Sequence, residues 1–101
     1  MVSVKNRMVL WARAAGRCQY DGCNHPLIGD LISGRYELNA SYVAHIVAED
    51  PNGPRGDPVR SPVLADDVRN LMLMCDPHHR LIDRVDVGGH PEALLLGLVK
   101  K

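Results

Sequence analysis

Five histidines and three cysteines carry most of the reactive side-chain chemistry of this 101-residue chain, and they are clustered. Cys75, His78 and His79 lie in LMLMCDPHHRLID, residues 71–83, and Cys18 and Cys23 bracket the turn CQYDGC. Cys18 and Cys23 are separated by QYDG, Cys75 and His78 by DP; both spacings let two ligands converge on one zinc ion. Together the four ligands close a tetrahedron with no open position, which makes a structural zinc site rather than a reactive one. The odd cysteine count and the absence of a leader-like apolar stretch at the start favour metal binding over disulfides, in an intracellular setting. His25, just beyond Cys23, is a competing ligand, and the plainer alternative is that the cysteines are small buried hydrophobes.

The adjacent pair His78-His79 raises a geometric problem. Neighbouring residues on a helix point about 100° apart, so the two rings do not face one ion. If His78 completes the zinc site, His79 is left on another face, in the stripe it shares with Asp83 four residues on. A histidine and a carboxylate in that relation can share a second, more open divalent ion; for an isolated histidine, an exposed helix position is the simpler reading. His79 is not isolated, because His45 stands in YVAHIVAED and Asn70 opens NLMLMC.

The elements that must position these groups are short. Residues 3–17 read as a helix capped by Ser3, stopped at Gly16, with Met8, Trp11, Ala12 and Ala15 on one face. Residues 27–33 are ambiguous, and residues 36–47 read as two strands about a turn at Asn39-Ala40-Ser41. A long connection over residues 48–65 holds Pro51, Pro54, Pro58 and Pro62; a loop of that length in so small a domain is functional or disordered. Residues 66–70 suggest a helical turn, and residues 71–74 a buried apolar run. Asp76-Pro77 starts a helix, with Asp as cap and Pro in the first position, running to about Arg84. Residues 91–101 form a last helix whose apolar face looks unfinished, so the chain is expected to be part of a longer one. No Phe and a single Trp make a thin core, which a structural metal would reinforce.

The order His45, Asn70, His79, joined to the Cys-x4-Cys and Cys-x2-His-His spacings, resembles the HNH nuclease family. The resemblance rests on AHI at residues 44–46, NLMLMC at 70–75 and HH with Asp83, and covers most of the chain, roughly residues 18–83. It implies an α+β, ββα-metal domain of treble-clef type with a structural zinc site and flanking helices, a single domain with its core at about residues 18–84. AHIVAEDPNGPRGD with RNLMLMC and HHRLID is also similar to the HNH domain of bacterial CBASS anti-phage effectors, in which the nuclease is fused to a SAVED domain that senses a cyclic oligonucleotide. That likeness implies a cytoplasmic bacterial protein, a C-terminal sensor domain and an oligomeric active form acting on double-stranded DNA.

By the same resemblance His45 is the general base, Asn70 orients it or holds its loop, and His79 binds a catalytic Mg²⁺ or Mn²⁺. One departure matters: many HNH proteins have a metal-binding Asp just before the first His, and this chain has Ala44. Asp83 is the first substitute ligand, ahead of Glu49 and Asp50. Arg55, in GPRG, either grips a phosphate bidentately or anchors its loop through a salt bridge to Asp57 or Asp66. The formal net charge of zero lacks the basic excess of many nucleic-acid binders, although Lys5, Arg7, Arg13 and Arg17 gather near the start. The rival class is a non-catalytic zinc module that binds nucleic acid or a partner; it has no need of His45, Asn70 and His79 together. No stretch approaches the roughly 20 apolar residues of a membrane span.

Overall fold

The computed structural model describes residues 2–27 and 42–100. The anticipated first strand, its turn at Asn39-Ala40-Ser41, and most of the ambiguous segment lie outside the described residues. Among them, the chain runs through α1 (Val4–Ala14), β1 (Tyr42–His45), α2 (Arg60–Leu64), a 3-10 turn at Val68–Asn70, β2 (Leu71–Met74), α3 (Asp76–Arg80), a π-helical turn at Leu81–Val85, and α4 (Glu92–Val99). This is a small α+β arrangement in which β1 and β2 pair antiparallel, with His45 opposite Leu71 and Tyr42 opposite Met74. The segment after β2 turns directly into α3, which gives the expected ββα order.

Every residue of β2 is buried, because α1 covers the strand while β1 pairs with it. Leu10 of α1, Leu27, Ile46, Ile82 and Leu95 of α4 join Leu71, Met72, Leu73 and Met74 in one core. Ser3 caps α1 as anticipated, accepting from the Asn6 amide. The buried face of α1 differs from the sequence expectation: Leu10 is buried, Trp11 and Ala14 pack partly against the core, and Met8 stays 67% exposed. The helix ends with Ala15 and Gly16 both at positive φ. Its start is tied down by Asp66, whose side chain accepts from the Ser3 and Asn6 nitrogens, bonds that hold its carboxyl below the ordinary carboxylate range.

The long connection is more ordered than its prolines suggested. Asp57 accepts from the amides of Val59 and Arg60, while its own amide donates to Ser61 Oγ, so a reciprocal cap starts α2. At the start of α3, Cys75 rather than Asp76 occupies the cap position. Its sulfur turns elsewhere, and Asp76 is already helical and pairs with Arg80. In α4, Leu95 enters the core and Leu94 remains 45% exposed.

The GPRG loop closes tightly. A Cβ on Gly56 would meet the Pro51 carbonyl oxygen at 2.4 Å and that of Asp50 at 2.7 Å, both backbone atoms with little freedom to move. Gly56→Ala is therefore expected to cost about 1–3 kcal/mol through overpacking, read as a lower denaturation midpoint; an unchanged midpoint would show that the loop relaxes freely.

Candidate metal centre and histidine site

The turn carrying Cys18 and Cys23 is fixed in two ways. The Cys23 amide donates to the Tyr20 carbonyl, and the Gln19 amide donates to Leu73 of β2. The Gln19 side chain accepts the Leu73 amide at 2.8 Å. The knuckle is thus docked on β2, whose end leads into Cys75 and α3. There Cys18, Cys23, Cys75 and His78 bring their ligand atoms within 4.8 Å of one another, the one such group among the described residues. Cys18 Sγ lies 3.7 Å from His78 Nδ1, Cys75 Sγ lies 3.2 Å from the same nitrogen, and the sulfurs of Cys23 and Cys75 are 3.9 Å apart. Ligands on a shared tetrahedral zinc would stand about 3.4–3.8 Å apart, so the four residues fit such an ion. Burial pushes the Cys18 thiol up to about 12; thiolates in this setting need a cation beside them. His25 is exposed and takes no part in the cluster.

Tyr20 braces the cluster. Its ring stacks on His78 at 4.3 Å with an 8° tilt, and its hydroxyl lies 2.8 Å from His90 Nε2. Because His90 Nδ1 faces the Asp86 carbonyl at 2.7 Å and a carbonyl only accepts, Nδ1 carries the ring proton and Tyr20 donates to Nε2. The buried His90 is therefore a satisfied structural group. Nothing in the local spacing identifies Tyr20 or His90, since their partners lie 70 positions apart.

His45 ends β1 with its side chain 15% exposed. Its Nε2 lies 2.9 Å from the Ala65 carbonyl, so that nitrogen is the donor and Nδ1 keeps the lone pair. The Asn70 side chain bonds backbone groups rather than the ring. Its side-chain oxygen accepts the Val47 amide, and its nitrogen donates to the Val47 and Leu64 carbonyls. Asn70 thus joins the chain just after His45 to the residue preceding Ala65.

His79 lies on α3, and its Nε2 is 3.3 Å from Asp83 Oδ2, as the i, i+4 relation requires. Tyr42 stacks on the His79 ring at 5.0 Å and 11°. Ala44 is buried in the core, so the position before His45 is closed to solvent as well as lacking a ligand atom. Glu49 Oε2 stands 3.7 Å from His45 Nε2, and Asp50 accepts the Asn52 amide within its turn.

Arg55 is drawn inward, with its side chain 7% exposed. Its Nε donates to the Ile46 carbonyl at 2.6 Å, its Nη1 to those of Ile82 and His90, and its Nη2 to Asp83 Oδ1 at 2.7 Å. It is an anchor, but to Asp83 rather than to Asp57 or Asp66, which cap α2 and brace α1. Gripping a phosphate would require breaking these bonds. A separate cleft of about 480 Å³ opens between α1, the 3-10 turn and α4; it borders Asn70 but neither His45 nor His79. Among the described residues no helix is long and apolar enough to cross a membrane.

No curated protein matches the chain. The profile of a family described as HNH endonuclease matches residues 18–88, from the first cysteine of the Cys3His cluster to just beyond the π-helical turn. That span holds every ligand of the cluster together with His45, Asn70 and His79, and with it the chain belongs to the HNH endonuclease family.

Proposed function

We propose that this domain is a metal-dependent DNA endonuclease, with a structural zinc held by Cys18, Cys23, Cys75 and His78 and a catalytic Mg²⁺ or Mn²⁺ held at His79. The observation that carries the reading is the posture of His45: Nε2 is committed to the Ala65 carbonyl, which leaves Nδ1 as a lone-pair base. Hydrolysis then proceeds by attack of water on phosphorus. His45 Nδ1 takes the water proton, the bond from phosphorus to the leaving oxygen breaks, and that oxygen acquires a proton from solvent. A divalent ion, when bound, supplies charge stabilisation at the phosphate and the leaving oxygen. Asn70 contributes by positioning the two segments that hold His45, and Arg55 by fixing Asp83.

The finer biological reading is an effector nuclease of a bacterial CBASS anti-phage system, activated through a C-terminal SAVED sensor and oligomeric when active. Its support is the likeness of the AHIVAEDPNGPRGD, RNLMLMC and HHRLID blocks to such effectors. Zero net charge gives weak attraction to a phosphate backbone, so residues 1–101 alone are expected to cleave poorly. Supercoiled plasmid incubated with Mg²⁺ or Mn²⁺ tests both statements. Slow nicking that stops when EDTA is added supports them. Efficient double-strand cleavage by this segment at low concentration would contradict the weak-grip argument, and cleavage insensitive to the chelator would contradict metal dependence. The non-catalytic alternative predicts no cleavage with either ion at any protein concentration.

A further inference from the structure

We infer that Tyr20 and His90 are positioning residues of the Cys3His cluster: Tyr20 fixes the ring plane of His78 so that Nδ1 stays turned to the sulfurs, and His90 fixes Tyr20. The inference goes beyond the ligand set of the proposed structural zinc and rests on it. A histidine lone pair lies in the ring plane, so a ligand histidine must hold its ring as well as its backbone. The torsion that turns the imidazole about its bond to Cβ is broad and roughly two-fold, and α3 alone does not set it. Tyr20 restrains it from outside, because rings parallel to within 8° with centroids 4.3 Å apart leave the imidazole little room to turn. In that plane His78 Nδ1 lies 3.2 Å from Cys75 Sγ and 3.7 Å from Cys18 Sγ.

Tyr20 is itself held at both ends. Its carbonyl accepts the Cys23 amide within the turn, and its hydroxyl donates to His90 Nε2 at 2.8 Å. His90 is 4% exposed and anchored on two sides. Its Nδ1 donates to the Asp86 carbonyl at 2.7 Å, and its own carbonyl accepts from Arg55 Nη1 at 3.3 Å. The second ring nitrogen of this buried imidazole meets neither water nor backbone but the hydroxyl of the one ring that stacks on His78. Metal-binding histidines are commonly oriented by an outer carboxylate or carbonyl bonded to the ring; here the face of a tyrosine does that task. The support comes from residues 86–90, beyond all four ligands in the sequence. None of its contacts passes through a metal bond, so the orientation of His78 is set by the protein.

Chelator competition on the zinc-loaded protein, beside the visible spectrum of its Co²⁺-exchanged form, tests this, because the bands of Co²⁺ follow the geometry of its ligands. Tyr20→Leu removes the ring; it should bind zinc roughly 10–100-fold more weakly, the range for an outer partner of a metal ligand, with its Co²⁺ bands displaced. Tyr20→Phe keeps the stack and loses the bond to His90. Its bands should stay in place while zinc affinity falls roughly 5-fold, the scale of one hydrogen bond. Gly56→Ala, whose added methyl meets Pro51 and Asp50 rather than the cluster, controls for affinity lost through fold stability alone; its bands should not move. Bands unmoved in Tyr20→Leu would overturn the inference for Tyr20, and native zinc affinity in Tyr20→Phe would overturn it for His90. If Tyr20→Leu does not fold, the Tyr20→Phe affinity decides. An unaltered protein that holds no zinc removes the ligand set itself, a failure distinct from both.

Discussion

His45→Ala is expected to lower DNA cleavage by roughly 10²-fold or more, about 2.7 kcal/mol of barrier, the usual scale for loss of a general base. The fold and the zinc content should be unchanged. The side chain is partly exposed at the end of β1 and bonds the carbonyl of Ala65, itself a half-buried residue. None of the four zinc-cluster ligands is His45. Single-turnover cleavage by the longest active form of the protein, beside a melting curve and a zinc assay, separates the two effects. Full activity in His45→Ala would overturn the proposed mechanism.

Cys75→Ser should have the larger structural effect, loss of the folded domain rather than of activity alone. Cys75 joins the end of β2 to the start of α3 and lies within the cluster that ties both to the knuckle at Cys18 and Cys23. Binding of a structural zinc is worth on the order of 10 kcal/mol in small zinc domains, comparable to the whole folding stability of a domain, about 5–15 kcal/mol. A core without Phe has little to set against that loss. The check is thermal unfolding by circular dichroism, with and without added zinc, and the same melt of the unaltered protein after chelation. A native-like transition in zinc-free Cys75→Ser would show that the core suffices alone.

The metal cluster was the most legible part of the molecule in the sequence, because each half depends on local spacing: Cys18 with Cys23, Cys75 with His78. The i, i+4 relation of His79 to Asp83 was legible for the same reason. What the sequence did not reveal depends on long-range packing. Arg55 reaches residues 9, 27, 28 and 35 positions away, and no local pattern distinguishes such a buried strut from a phosphate clamp. Tyr20 and Tyr42 read only as a turn residue and a strand residue, yet each stacks on one of the adjacent histidines. In α1 periodicity pointed to the face of Met8, Trp11, Ala12 and Ala15, but packing against β2 buries Leu10 and leaves Met8 exposed. The connection after β1 looked structureless because its prolines dominate, while the reciprocal Asp57–Ser61 cap that starts α2 was a quieter signal.

The central claim is that the adjacent histidines serve different metals, His78 the structural zinc and His79 the catalytic ion. Elemental analysis of zinc in His78→Ala and His79→Ala, each purified without chelator, tests it most directly. The account predicts that His79→Ala retains one zinc per chain and that His78→Ala loses it, because His78 Nδ1 faces the sulfurs of Cys18 and Cys75 while His79 turns toward Asp83 and Tyr42. Zinc retained in His78→Ala and lost in His79→Ala would reverse the assignment and contradict the account.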